Sequence, residues 1–103
     1  MTTYSIKNKG NEVTIEVKGH AGYAEKGYDI VCASISMACI MTANLIDKIK
    51  EIRYNILDLV CEDGYFRLQV KQSDALTQSI VDNLVETLDE LQKQYPKYIK
   101  IIS

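Results

Sequence analysis

The 103-residue sequence has a single proline, no CxxC pair and no uninterrupted apolar run longer than Met37 to Met41. Each shortage excludes a class of protein. With one proline, 47% hydrophobic residues and 25% charged ones, the composition is globular, and disordered, collagenous and low-complexity chains are set aside. The apolar run falls far short of the ~20 residues that cross a bilayer, and Met1 to Lys7 alternates in polarity without the apolar stretch of a secretory signal. No membrane span is expected, and the cytoplasm is the expected compartment. Twelve Lys and Arg against fourteen Asp and Glu leave a net charge of −2, a poor match to a phosphate backbone, so nucleic acid is not an expected ligand. Cys32, Cys39 and Cys61 are an odd number of thiols, which disfavours a disulfide framework, and without CxxC neither a zinc ribbon nor a thioredoxin-like redox site is signalled. The length suits one domain spanning residues 1–103.

What is present reads as alternating strands and helices. Tyr4 and Ile6, then Val13, Ile15 and Val17, alternate with polar neighbours on either side of Lys9-Gly10-Asn11, which predicts a hairpin. From Gly19 to Tyr28 the period dissolves, and three of the five glycines mark a loop. Asp29 then caps a segment free of Gly and Pro from Ile30 to Ile49, a helix of about five turns. It is apolar nearly all round, so it should be covered on more than one side, by sheet and helix or by a second subunit. A second hairpin follows around Glu62-Asp63-Gly64, with Tyr54, Ile56 and Val60 on one face and Leu57, Leu59 and Cys61 on the other, then Phe66, Leu68 and Val70. Ser73 is expected to cap a helix whose stripe is Leu76, Ile80, Leu84, Leu88 and Leu91, stopped by Pro96. Tyr98 to Ile102 closes the chain as a short strand. The order ββαββαβ predicts an α+β fold: a mostly antiparallel sheet of about five strands with two long helices on one face.

The candidate chemistry is a thiol and an imidazole. His20, the one histidine, follows a strand directly and lies in the glycine-rich loop, away from any apolar stripe. Cys32 falls in the first turn of the predicted helix, where the positive end of the helix dipole favours a thiolate. The intervening loop is long enough to bring imidazole to sulfur, as acyl transfer requires: thiolate attacks, and imidazolium protonates the leaving amine. Spacing alone leaves a second reading open, since helical cysteines are commonly small core hydrophobes. Cys39 and Cys61 read as core. Ligands two helical turns apart make a metal site from His20, Cys32 and Cys39 unsuitable, so neither metal nor cofactor is expected. Asp29 reads as the cap, with a part in orienting His20 left open. Ser36 stands one turn beyond Cys32, either hydrogen-bonding near the site or satisfying a helix carbonyl. Gly22, Tyr23, Gly27 and Tyr28 belong to a segment expected to act as a mobile cover over an extended substrate, with Glu25 and Lys26 facing solvent.

Gly19-His20-Ala21, the glycine-containing loop, and Asp29-Ile30-Val31-Cys32-Ala33 resemble the signature of the ribosomal-processing cysteine protease Prp family over essentially the whole chain. The resemblance implies a cysteine endopeptidase that removes the N-terminal extension of large-subunit ribosomal protein twenty-seven during ribosome assembly. Position by position it makes His20 the catalytic histidine and Cys32 the nucleophile, with Asp29 and Ser36 on further motif positions. Ser34 stands where a small apolar residue is commoner, outside that pair. Helix-start amides are the expected oxyanion donors. The family's habit, like the all-round apolar helix, implies a homodimer. Against this stand a non-catalytic ribosome-associated binding module and a thiol redox protein, the latter lacking a resolving cysteine at suitable spacing.

Overall fold

The alternation at the start of the chain folds as a hairpin, β1 (Thr2–Lys9) against β2 (Glu12–Lys18), in a computed structural model that describes residues 1–25 and 27–102. Lys26, expected to face solvent, lies outside the described residues. The first helix, α1 (Ile30–Lys48), leads through a short 3-10 turn (Arg53–Asn55) to β3 (Ile56–Glu62) and β4 (Tyr65–Lys71). The second, α2 (Ala75–Gln94), ends two residues before Pro96, and β5 (Ile99–Ile101) closes the sheet. The sheet order is β3-β4-β2-β1-β5, antiparallel throughout except where β5 runs parallel to β1. This is the expected α+β architecture with ββαββαβ order.

One face of the sheet carries the core. Val13, Ile15 and Val17 of β2 and Phe66, Leu68 and Val70 of β4 are all buried, and against them pack Val31, Ile35, Cys39 and Ile46 of α1 and Ile80, Val81, Leu84 and Leu88 of α2. Burying each large aliphatic side chain contributes ~1.5–3 kcal/mol before the entropy of ordering it is counted. Tyr4 crosses from β1 to α2: its ring is fully buried and its hydroxyl donates to Asp89 Oδ1 at 2.6 Å, so the one polar atom is satisfied. Burial and the carboxylate beside it both raise that phenol's pKa, keeping it neutral. By length and composition α1 could cross a membrane, but its buried face belongs to this core.

Several expectations are corrected. Asp74, not Ser73, caps α2, because its carboxylate reaches the Thr77 amide at 2.8 Å and the Thr77 hydroxyl as well. Leu76 is 47% exposed: the buried face of α2 runs through Thr77, Ile80, Val81, Leu84 and Leu88, which leaves Leu76 off it. Tyr54 lies in the 3-10 turn instead of a strand. A register shift between Ile56 and Asp58 moves Ile56 onto the face of Leu59 and Cys61, opposite the buried Val70, which breaks the simple alternation. Cys61 on that face is exposed, not core, since it stands on an edge strand. The sheet and α2 both cover α1, as expected, but its outer face stays open, leaving Met37, Met41 and Leu45 exposed.

Candidate active site

Asp29 sets the start of α1. Its backbone is extended, and the carboxylate Oδ1 accepts the Cys32 amide at 2.8 Å while its carbonyl accepts the Ala33 amide at 3.0 Å. Cys32 is thereby the third residue of the helix, half-buried in the first turn. The other carboxylate oxygen accepts the Tyr23 amide at 3.0 Å, so one side chain fastens the loop to the helix. Burial works to raise the Asp29 pKa, but the amides of Cys32, Tyr23, Ala24 and Val31 outweigh it and hold the carboxyl below its ordinary range. Its carboxylate is thus taken up by amides and not by the imidazole.

His20 is delivered from the other side by the sheet. The β2–β4 ladder continues one step past Lys18 and Tyr65, with the Gly19 amide donating to the Gly64 carbonyl at 2.9 Å, and His20 follows at once. His20 and Cys32 meet at a cavity of ≈ 460 Å³ whose wall also includes Asp29, Ser36 and Asp63. Gly22, Ala24 and Gly27 of the loop form its rim. A second cavity of ≈ 140 Å³ runs between α1 and the β3–β4 turn, past Cys39 and Cys61. Cys32, Ser36 and Asp63 line both, which puts the thiol where the two spaces join. A thiol at such a junction can meet a carbonyl held in the larger space while a side chain enters the smaller.

The remaining expected residues fall as follows. Among the described residues Ser36 makes no side-chain hydrogen bond, and it is Ser34 that satisfies a helix carbonyl, Ile30 O at 2.7 Å. Of the helix-start amides, those of Cys32 and Ala33 are not open for an oxyanion, because both already donate to Asp29. Tyr23 does not arch over the cavity: its ring stands edge-on to Tyr95 and Tyr98, with centroids 5.8 and 5.1 Å away. The front of the loop is therefore pinned, where a mobile cover is expected over the whole segment. Tyr28 is 78% exposed. Burial, with Cys61 nearby, pushes the Cys39 thiol up to about 12, which fits an inert core residue. Among the described residues no group of His, Cys, Asp or Glu is arranged to hold a metal ion.

Residues 1–100 match the family described as Cysteine protease Prp. The chain belongs to that family. It is a cysteine protease. The ribosomal processing cysteine protease Prp of Bacillus subtilis (strain 168) is 22% identical over 94 residues, covering 86% of this chain and 83% of that protein. The Staphylococcus aureus (strain Mu50) protein of the same name is 24% identical over 98 residues, covering 94% and 92%. The essential ribosomal processing protease Prp from S. aureus, solved with a covalently linked product peptide, superposes with a TM-score of 0.83 at 26% identity over 98% of this chain and 97% of that one. The same protease with a substrate peptide gives 0.79 at 24% identity, covering 99% and 98%. Family membership sets aside the non-catalytic and redox alternatives. Asp63 and Gly64 are the site residues that the linear sequence did not disclose, since Glu62-Asp63-Gly64 reads only as a turn until β4 is paired with β2.

Proposed function

We propose that this Prp-family protease removes the N-terminal extension of large-subunit ribosomal protein twenty-seven in the cytoplasm, with Cys32 as nucleophile and His20 as acid and base. The observation that carries the reading is the shared cavity: a first-turn cysteine and the sole histidine, from different elements, open onto the same space. The Cys32 sulfur attacks the scissile carbonyl carbon, and the carbonyl oxygen becomes an oxyanion. Collapse of the tetrahedral centre breaks the C–N bond as His20 gives its proton to the leaving amine, and a thioester remains. Water, deprotonated by His20, then hydrolyses the thioester and restores the thiolate. With the Cys32 and Ala33 amides engaged, the Ser36 hydroxyl, one turn along and without another partner among the described residues, donates to the oxyanion. That the relatives in B. subtilis and S. aureus are ribosomal processing proteases supports the choice of substrate.

Dimerisation belongs to the same proposal. Met37, Met41 and Leu45 leave an apolar strip on α1, and Leu76 a further exposed apolar side chain on α2, which a second copy would cover. Incubating the protein with the extended ribosomal protein and measuring product mass tests the main claim: loss of the extension is expected, with none for Cys32→Ala and a rate at least ~100-fold lower for His20→Ala. An uncut substrate with the unaltered enzyme refutes it. Sedimentation of Met41→Glu tests the dimer, and an unchanged sedimentation coefficient refutes that part alone.

A further inference from the structure

We infer that Gly64, in the β3–β4 turn, is a positioning residue for the His20 imidazole, and that it serves by having no side chain. A β-carbon at position 64 would lie 2.8 Å from His20 Nε2, 3.1 Å from Cε1 and 3.5 Å from Cδ2, so the outer edge of the ring rests on the bare backbone of the turn. The distance to Nε2 is well inside van der Waals contact and that to Cε1 is tight, so a substituent must turn the ring or displace the turn. The same residue holds the histidine's backbone, since its carbonyl accepts the Gly19 amide at 2.9 Å. His20 is thus fixed twice by one residue, through the main chain just before it and through the outer edge of its ring. An exposed imidazole on a loop would otherwise sample several rotamers, of which a fraction face the thiol.

A positive φ does not explain this glycine by itself. Gly64 has φ +73°, but Gly10 in the β1–β2 turn has φ +60° and nothing within 4 Å of its would-be β-carbon. Gly22 and Gly27 likewise face open space at that position. The backbone requirement is common to these glycines, whereas the steric fit to an imidazole belongs to Gly64. Position 10 therefore supplies a matched control for the cost of placing a side chain in the left-handed region.

The inference rests on the proposed role of His20, and the test separates the two. Asn tolerates the left-handed region, so Gly64→Asn and Gly10→Asn add a side chain with little backbone strain. Both variants are expected to fold with similar melting temperatures, and Gly10→Asn to cleave the extended ribosomal protein normally. Gly64→Asn should lose about 10- to 100-fold in kcat with KM little changed, the signature of a misplaced group. Because the protein has one histidine, a single Cε1–H signal reports the ring. Wild-type protein should show cross-relaxation from that proton to the Gly64 Hα protons, and the signal should move in Gly64→Asn and stay put in Gly10→Asn. Full activity and an unmoved signal in Gly64→Asn, while His20→Ala is inactive, would overturn the inference and spare His20. Turnover by His20→Ala would instead remove His20 from the chemistry. Should Gly64→Asn fail to fold, the wild-type ring decides: cross-relaxation to Gly64 supports the inference, and a freely reorienting ring overturns it.

Discussion

The carboxylate of Asp29 accepts the amide proton of Cys32 at 2.8 Å, and the same group holds Tyr23 at 3.0 Å. One side chain thus fixes both the thiol-bearing turn and the adjoining loop. Asp29→Ala should cost about 1 kcal/mol in urea unfolding, the usual worth of an N-cap, and should also lower kcat. Asp29→Asn, which can still accept a hydrogen bond, should recover most of the stability. Equal stability of the Ala variant and the parent would show that the cap contributes nothing.

The same carboxylate predicts an acid limb of stability. Asp29 lies below its ordinary range for the reasons given, Asp74 does so because the Thr77 amide and hydroxyl favour its charged form, and Glu16 does so chiefly because Tyr65 donates to it at 2.6 Å. A carboxyl lowered in the folded state binds fewer protons there than in the unfolded chain, so stability rises with pH across the interval between the two values. Its contribution is complete above the ordinary carboxylate range and is lost as pH falls through the lowered folded-state values. Urea midpoints should be level from roughly pH 5.5 to 7 and drop below about pH 4, with a shallower drop for Glu16→Gln. A midpoint unchanged down to about pH 3 contradicts this assignment.

The three cysteines should behave as three chemical species. Cys39 is 2% exposed with its thiol raised to about 12, Cys61 is exposed, and Cys32 is half-buried beside the imidazole's cavity. Iodoacetamide near neutral pH followed by peptide mass analysis should leave Cys39 unlabelled until the protein is unfolded. His20→Ala should slow labelling of Cys32 and leave that of Cys61 unchanged. Cys39→Ala should cost about 1 kcal/mol and keep activity. Labelling of all three at one rate in the folded protein is the contrary result.

Ser36→Ala addresses the oxyanion. If the hydroxyl donates to it, kcat should fall by roughly 100-fold with KM and melting temperature nearly unchanged. A loss of less than threefold assigns the oxyanion to other donors.

Local signals carried most of the architecture and half of the site. His20 and Cys32 were legible because each has a nearby marker: a glycine-rich loop after an alternating strand, and an aspartate that caps a helix three residues before the thiol. The errors arose where tertiary packing overrides a local period. Ser73 and Asp74 are both acceptable caps, and only the reach to Thr77 separates them. Leu76 has the spacing of the apolar stripe but lies off the face that α2 buries, which begins at Thr77, and Ile56 changes face at a bulge that no residue type announces. Gly64 was invisible as a site residue for a stronger reason. Its partner Gly19 is joined to it only by the non-local pairing of β2 with β4, and sequence read in windows does not contain that pairing.

The loop offers a prediction narrower than a whole-segment lid. Its first part is held by the Tyr23 amide on Asp29 and by the Tyr23 ring against Tyr95 and Tyr98, and Ala21 is buried. Beyond that point Ala24 and Gly27 border the cavity without core contacts, and Tyr28 stands largely in solvent. Closure on an extended peptide therefore has to come from the stretch after Tyr23, with Tyr28 as the side chain free to fold over the ligand and exclude water from the thioester. Hydrogen exchange on Cys32→Ala, with and without an uncleavable peptide spanning the cleavage site, reads this directly. The amides of Glu25 and Gly27 should gain protection on binding, whereas those of Tyr23 and Ala24, already bonded to Asp29, and of Tyr28, which donates to the Glu25 carbonyl at 2.9 Å, should exchange slowly in both states. Tyr28→Ala should then raise KM several-fold with the fold intact. Fast exchange persisting in those amides while the rest of the cavity becomes protected would take the loop out of the mechanism and leave His20 and Cys32 as they stand.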